Sequence, residues 1–394
     1  MSNYIIHSQE ALVFRDGRPF GDPGNVDAGL LQWPLPPTIT GMMRTQVGLS
    51  RDATFFNNST QNNLSEIIKV KTERILPMWQ KEETADWQLL YPAPADALLV
   101  AAAAADNFQV HSFTYETVSE DEGVDLPWPE WRLPFTTARE KPARNCPALW
   151  HEDQFLQWLE NGEIKGTIPF RKLGLPWPQT AFRMHTAISD SGTATASQLF
   201  STQGIRLETL EKSEQGRRGR YGIGVTLSGT KNGDDPTGPC RLGGERKVAR
   251  IDALEKDPFP EFPKAWFTEE RFLRLILLSP GNFGGWAPEW LRPDVNSSTL
   301  SWKKVPGTGI ELRLVSAHIP RWQPVSGWDF AQGAPRATSK LVPAGSVYIV
   351  ELQNPKQSLE LAEKFWGRSI ADDLDEANGY GIVCTGKLTI QGEK

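Results

Sequence analysis

Apolar positions in this chain recur at two spacings, and each predicts a class of element. Helical spacing puts Ile39, Met43 and Val47 on one side of a segment running from Thr38 to about Leu49. Gly41, Arg44 and Gly48 fall on the other side, and Gln46 interrupts the apolar arc. Pro34, Pro36 and Pro37 hold the approach extended, and Thr38 is expected to cap the helix. Helices are also expected at 150–160, through Phe155, Trp158 and Leu159, and at 359–366, through Leu361, Ala362, Phe365 and Trp366. Residues 9–14, 67–77, 272–278, 308–316 and 346–353 read as strands, and a glycine-led strand closes the chain at 379–388. Asp16-Gly17 suits a tight turn, and the Asn-rich stretch 51–65 reads as a loop.

Period two dominates residues 182–208, which read as a long β-hairpin with its tip near 189–192. Arg183 and His185 then share one face, and Phe182, Met184 and Ile188 the other. Its weakly apolar arms suggest a hairpin that projects. Strands and short helices alternate throughout, which predicts an α+β protein of two halves, divided here as 1–240 and 241–394.

Composition narrows the function classes. The 394 residues carry a formal net charge of −6, unlike a chain that wraps duplex DNA unaided. The charge is unevenly placed. Residues 106–130 hold seven acids and no Lys or Arg, which repels phosphate and suits solvent or a basic protein. Residues 217–250 hold eight Lys or Arg against three acids, interleaved with Gly222, Gly224, Gly229, Gly233, Gly238, Gly243 and Gly244. Such a segment either brings backbone N–H groups close to phosphate or is a solvated surface loop. Likewise, Arg44 beside a helix N-terminus suits an anion, or is simply a solvated charge.

Cys146, Cys240 and Cys384 form no CxxC pair, and the N-terminus lacks a signal-peptide pattern, so a reducing cytoplasm is expected. The longest apolar run, 97–105, is too short to span a bilayer. The five histidines make no metal-binding pair, no GxSxG elbow occurs, and no catalytic set, metal or cofactor is expected. Residues 381–387 (GIVCTGK) spell GxxxxGK, but Leu388 stands where Ser or Thr would hold Mg²⁺, and the segment reads as strand. Trp–Pro clusters at 33–34, 127–131, 176–178 and 286–290 either stack sugars or bases or pin irregular loops, and loop-pinning is the expectation adopted.

Several blocks, in this order, resemble one family: 12–21 (LVFRDGRPFG), 33–45 (WPLPPTITGMMRT), 92–98 (PAPADAL), 242–245 (LGGE), 327–330 (GWDF), 342–348 (VPAGSVY) and 379–386 (GYGIVCTG). The chain is similar nearly end to end to the third subunit of the Cmr-type (type III-B) CRISPR effector complex, in the RAMP superfamily. The resemblance implies two ferredoxin-like (RRM-like) domains with insertions, and 182–208 as the family's thumb. It implies a non-catalytic role: holding the 5′ handle of the crRNA and docking on the large polymerase-like subunit and the first backbone RAMP subunit. RNA contacts are accordingly expected at Thr38, Gly41, Arg44, Arg183, His185, Arg217, Arg218, Arg220, Gly243, Gly244, Arg246, Lys247, Arg336, Lys340 and Tyr380. Two other readings stand beside it. One is a metal-independent RAMP endonuclease using His185 with Arg183, or Tyr380; the other is a carbohydrate-binding protein using its tryptophans.

Overall fold

A computed structural model describes residues 1–16, 30–55, 61–81, 86–102, 106–117, 126–209, 219–329, 334–335 and 337–390. The fold is α+β, with mostly antiparallel sheets and few helices. The chain forms two compact units that interleave along the sequence: Met1–Gln88 with Trp177–Asp257 and Pro324–Lys340, and Leu89–Pro176 with Pro258–Gln323 and Leu341–Lys394. A single cut at 240/241 does not follow this division, because the chain passes repeatedly from one unit to the other.

In the first unit an antiparallel sheet has the order Lys71–Lys81, Gly219–Ser228, Ser2–His7, Val248–Leu254, Gly238–Arg241. The N-terminal strand is central, with Ile6 opposite Ile223 on one side and Ile251 on the other. Alternation sends Tyr4, Ile6, Ile223, Val225 and Ile251 to one face, all buried. The Pro36–Arg51 helix is tied to the sheet by the Thr40 hydroxyl, which donates to Thr72 Oγ1 at 2.9 Å. Ile39, Met43 and Val47 are fully buried, each contributing roughly 2 kcal/mol of apolar burial. The expected face is therefore correct, but the expected cap is not. The helix starts at Pro36, with Leu35 in the N-cap position and no side-chain cap. Proline fits the first helical position because it has no N–H to satisfy and its φ is already helical. Thr38 lies inside the first turn, its N–H donating to the Leu35 carbonyl.

The loop expected over 51–65 gives way to a helix, Gln61–Ile68, and the following strand begins at Lys71 rather than 67. Asn and Gln masked the helical spacing that buries Ile67. The strand expected at 9–14 is replaced by isolated bridges, since Leu12 and Val13 pair with different partners and no ladder extends.

The second unit is built on an antiparallel sheet ordered Lys303–Lys304, Glu311–His318, Val347–Leu352, Phe272–Leu277, Ile382–Leu388, Arg368–Ser369. The GxxxxGK segment lies in this sheet as strand, with Lys387 opposite Leu273. Helices Glu152–Asn161 and Ser358–Lys364 fall where helical spacing placed them, and Phe155, Trp158, Leu159 and Leu361 are fully buried. One charge pair is sealed inside this unit. Asp96 accepts from Trp158 Nε1 at 2.9 Å and from Arg274 Nη1 at 2.8 Å, and both charged residues are at most 3% exposed. Arg274 also donates to the Lys387 carbonyl and lies over the Trp158 ring.

The tryptophans pin loops. Trp128 Nε1 donates to the Asp294 carbonyl, Trp290 Nε1 to that of Ile370, and Trp366 Nε1 to that of Pro260. These three rings have their N–H groups satisfied by loop carbonyls, which fits loop-pinning rather than a sugar platform at Trp128, Trp290 and Trp366. Among the described residues no helix is long and apolar enough to cross a membrane.

Candidate nucleic-acid interface

The site is assembled around residues 11–13 of the first unit. Leu12 and Ile205 exchange backbone hydrogen bonds at 2.9 and 2.8 Å, tying the segment to the foot of the hairpin. The next residue, Val13, accepts from Gly244 N–H at 2.7 Å. Three blocks distant in sequence are thus stitched side by side: the opening segment, the hairpin foot and the LGGE turn.

The hairpin pairs Thr180–Ile188 with Ala194–Ile205, as the period-two pattern predicted. Its turn is closed by Ser189, whose N–H donates to the Thr193 carbonyl at 2.8 Å. Phe182, Met184 and Ile188 are 58–70% exposed on one face. On the other, Arg183 is exposed and sits opposite Thr202, and the Thr202 hydroxyl is 2.8 Å from His185 Nε2.

The turn at 242–247 is held in an uncommon conformation. Gly243 has φ +77°, and a Cβ there would stand 2.5 Å from the Val13 carbonyl oxygen, so only glycine fits. Glu245 and Arg246 also have positive φ, 58° and 54°, which costs about 1–2 kcal/mol for each non-glycine residue. The Leu242 N–H to Lys247 carbonyl bond, 3.0 Å, closes the turn.

Between these parts runs a shallow open groove. Ala11, Val13, Ala181 and Gly204 line it together with Arg183, Thr202, Gln203, Glu245 and Lys247. The Lys247 ammonium stands 3.9 Å from the Glu245 carboxylate. Cations continue along the chain to Arg250, opposite His7. There Asp252 bridges His7 Nε2 at 2.7 Å and Arg250 Nε at 2.8 Å. Burial pushes the Asp252 carboxyl up, but the hydrogen bonds from His7 and Arg250 and their charge outweigh it and hold it below the usual range. Arg220 completes the patch, donating to Gln80 Oε1 at 2.6 Å and lying over the Trp87 ring at 5.1 Å. Gly222 makes room for that ring, since a Cβ would come within 2.6 Å of it.

Of the expected residues, Arg183 and Lys247 line this groove, Gly243, Gly244 and Arg246 lie in the turn beside it, His185 meets the groove-lining Thr202, and Arg220 lies beside His7. The structure places others elsewhere. Arg44 is half-buried and donates to the carbonyls of Val70 at 2.8 Å and Ile68 at 3.2 Å, closing the end of the Gln61–Ile68 helix. Burial alone lowers its pKa. Gly41 is exposed on the Pro36–Arg51 helix, with open space where a Cβ would go. Tyr380 is 6% exposed in the second unit, where its carbonyl accepts from Ser369 Oγ, so it offers no surface ring to a base and no phenol to a reaction. Lys340 is exposed at the strand Ser339–Leu341. Arg217, Arg218 and Arg336 lie outside the described residues. Sequence reasoning missed Glu245, Gln203, His7, Asp252 and Trp87. The one signal for Glu245 was its place in the LGGE block; the others are joined only by strand register.

No functionally curated protein matches this chain. Among solved structures it is similar to a chain of the type III-B Cmr-beta complex bound to cognate target RNA and AMPPnP, with 13% identity, 88% of this chain and 86% of that one covered, and a TM-score of 0.47. A second chain, from type III-B Cmr-beta bound to cognate target RNA, has 13% identity, 97% and 96% coverage and a TM-score of 0.46. A chain of the Csm3–Csm4 subcomplex of the type III-A interference complex has 8% identity, 90% and 94% coverage and a TM-score of 0.32. The model of the family described as CRISPR-associated protein (Cas_Cmr3) matches residues 4–388, nearly the whole length. The chain belongs to the Cas_Cmr3 family of CRISPR-associated proteins, the family its sequence blocks resemble.

Proposed function

We propose that this chain is a non-catalytic, RNA-holding subunit of a type III-B CRISPR ribonucleoprotein. It keeps the 5′ handle of the crRNA single-stranded along the groove at the hairpin foot. It docks on the large polymerase-like subunit and the first backbone RAMP subunit, and each of its two units is a ferredoxin-like (RRM-like) domain with insertions. The observation that carries the reading is the convergence of Arg183 and Lys247, from separate blocks, on one open groove beside the turn that holds Arg246, in a chain of net charge −6. Guanidinium and ammonium groups on an open strand-lined surface suit the phosphates of a single strand, and sequence-independent affinity follows from them. The endonuclease reading has less support. His185 Nε2 is engaged by Thr202, and Tyr380 is buried.

The test is binding of handle-containing RNA, by fluorescence anisotropy and by recovery of crRNA with the tagged complex. Arg183→Ala, Arg246→Ala and Lys247→Ala together are expected to weaken binding at least tenfold. They should also flatten the salt slope by about 0.7 for each phosphate no longer neutralised. Unchanged affinity and an unchanged slope in a folded triple variant would refute the assignment of this groove.

A further inference from the structure

One histidine of the first unit is engaged at both ring nitrogens. His7 ends the central strand Ser2–His7, and its side chain is 14% exposed. Its Nε2 lies 2.7 Å from Asp252 Oδ2, and its Nδ1 lies 3.5 Å from Arg220 Nη1. An ionised carboxylate only accepts and a guanidinium only donates, so these contacts put the proton on Nε2 and a lone pair on Nδ1. His7 is therefore neutral in this arrangement. A second proton would set an N–H on Nδ1 against the N–H of Arg220, donor to donor. That contact must then open, while the Asp252 contact becomes a charge-assisted one. Asp252 is already shared, because its other oxygen accepts from Arg250 Nε at 2.8 Å. Arg220, Arg250 and Asp252 leave one net positive charge, and a proton on His7 makes it two. Other charged groups on the surrounding segments are Glu208, in register opposite Arg220, and Lys81, Asp86 and Glu10; among the described residues none of them hydrogen-bonds to the His7 ring.

We propose that His7 is a positioning residue that links RNA holding to proton uptake: its protonation releases Arg220 Nη1 for a phosphate and adds a positive charge beside Arg250. The assignment rests on the RNA-holding reading above and deepens it. Arg220 keeps its Nε bond to Gln80 at 2.6 Å and its place over the Trp87 ring, so the Nη1 end alone changes partner. Arg250 is 60% exposed and follows the groove-lining Lys247 by three residues, about 10 Å of extended chain. The cluster thus lies one step along the chain from the groove. Phosphate offsets the second positive charge that protonation creates, which Asp252, shared between two cations, does not. Linkage is reciprocal, so a bound strand also favours the proton on His7. Imidazole is the side chain suited to such a link, since its charge changes between about pH 5 and 8.

The experiment uses the full-length chain and a rhodamine-labelled uridine octamer without a terminal phosphate, which has no group titrating between pH 5.5 and 7.5. Anisotropy at constant ionic strength is expected to show binding about fivefold tighter at pH 5.5 than at pH 7.5; one linked proton supplies at most about tenfold per pH unit. His7→Gln offers one acceptor and one donor, as the neutral ring does, but takes up no proton. Its affinities at the two pH values should agree within twofold, whereas His185→Gln should keep the wild-type difference. Arg220→Gln should shrink the difference, and a full fivefold change in that variant would refute the release of Arg220. Calorimetric titration of wild type at pH 6.5, in two buffers of different ionisation enthalpy, should show net proton uptake on binding. That reading stands even where His7→Gln fails to fold. The proposal is overturned if wild type shows no pH difference or no proton uptake. It is overturned equally if His7→Gln keeps the difference, weakening by one factor at both pH values, which would mark a purely structural role. Failure to bind at either pH, in protein shown folded by its thermal melt, would remove the RNA-holding reading itself; binding without a pH difference would remove the His7 assignment alone.

Discussion

Asp96→Ala is expected to be among the most damaging single changes in the second unit, although Asp96 touches no proposed ligand. The substitution leaves the Arg274 guanidinium, 3% exposed, with its carbonyl partner at Lys387 but no counter-charge. Removing one partner of a buried ion pair typically costs 3–5 kcal/mol. The Trp158 indole N–H loses its acceptor at the same time, a penalty of about 1–3 kcal/mol that overlaps the first. Gly162 and the Trp158 ring crowd the guanidinium, so it has little room to reach water. A net loss of about 4 kcal/mol follows. In a unit of roughly 200 residues that corresponds to a Tm about 8–16 °C lower. Calorimetry of the full chain measures it, with urea melts followed by tryptophan fluorescence as a second reading. The diagnostic comparison is Asp96→Ala combined with Arg274→Met. Removing the stranded charge should return about 1–3 kcal/mol, so the double variant should be more stable than the single one. A loss under about 1 kcal/mol for Asp96→Ala, or strictly additive losses in the double variant, would refute the reasoning.

Three further outcomes are expected. Arg44→Met should lower stability by about 1–3 kcal/mol in chemical denaturation, through the unpaired carbonyls of Ile68 and Val70, while RNA affinity stays within twofold. Glu245→Asn with Arg246→Gly should raise stability by about 1–2 kcal/mol in thermal melts by relieving the positive φ. Burial lowers the His318 pKa; Asp96 opposes this and Arg274 adds to it, and the Tyr115 hydroxyl lies 2.9 Å from Nε2. The folded state therefore takes up its proton at lower pH than the unfolded chain. The stability this contributes is complete above about pH 6.5 and is lost as pH falls from there toward the folded pKa. Melts between about pH 7.5 and 5 should show this decline, and His318→Gln should flatten it.

Strong local periodicity made much of the fold legible. Phe155, Trp158 and Leu159 could hardly belong to anything but a buried helix face, and alternating polarity marked the hairpin and its two faces. Arg274 was the visible exception in the apolar run 272–278, and Asp96 stood inside a recognised block, but no local rule pairs residues so far apart. The polar residues in the sequence of the Gln61–Ile68 helix outweighed its three apolar positions, Leu64, Ile67 and Ile68. Thr38 lies inside the first turn instead of capping it, because the helix starts two residues earlier at Pro36, whose missing N–H needs no cap. At the groove, composition flagged the basic segment. What it could not supply was register: that Val13 meets Gly244, that Asp252 reaches His7, or that Arg220 has Trp87 beneath it.

The same stitching sets a timetable for synthesis. The strand Ser2–His7 is made more than 200 residues before both of its neighbours, Gly219–Ser228 and Val248–Leu254. At ribosomal rates of about 5–20 residues per second, Tyr4, Ile5 and Ile6 wait roughly ten to fifty seconds with their backbone unpaired. Gly244 reaches Val13 only at the end of that interval, so a nascent chain carries no groove until Lys247 has been translated. An RNA ligand can therefore meet the groove only after that point, and a chaperone that shields the strand Ser2–His7 until then should raise the yield more than one acting on the later-made strands of the second sheet.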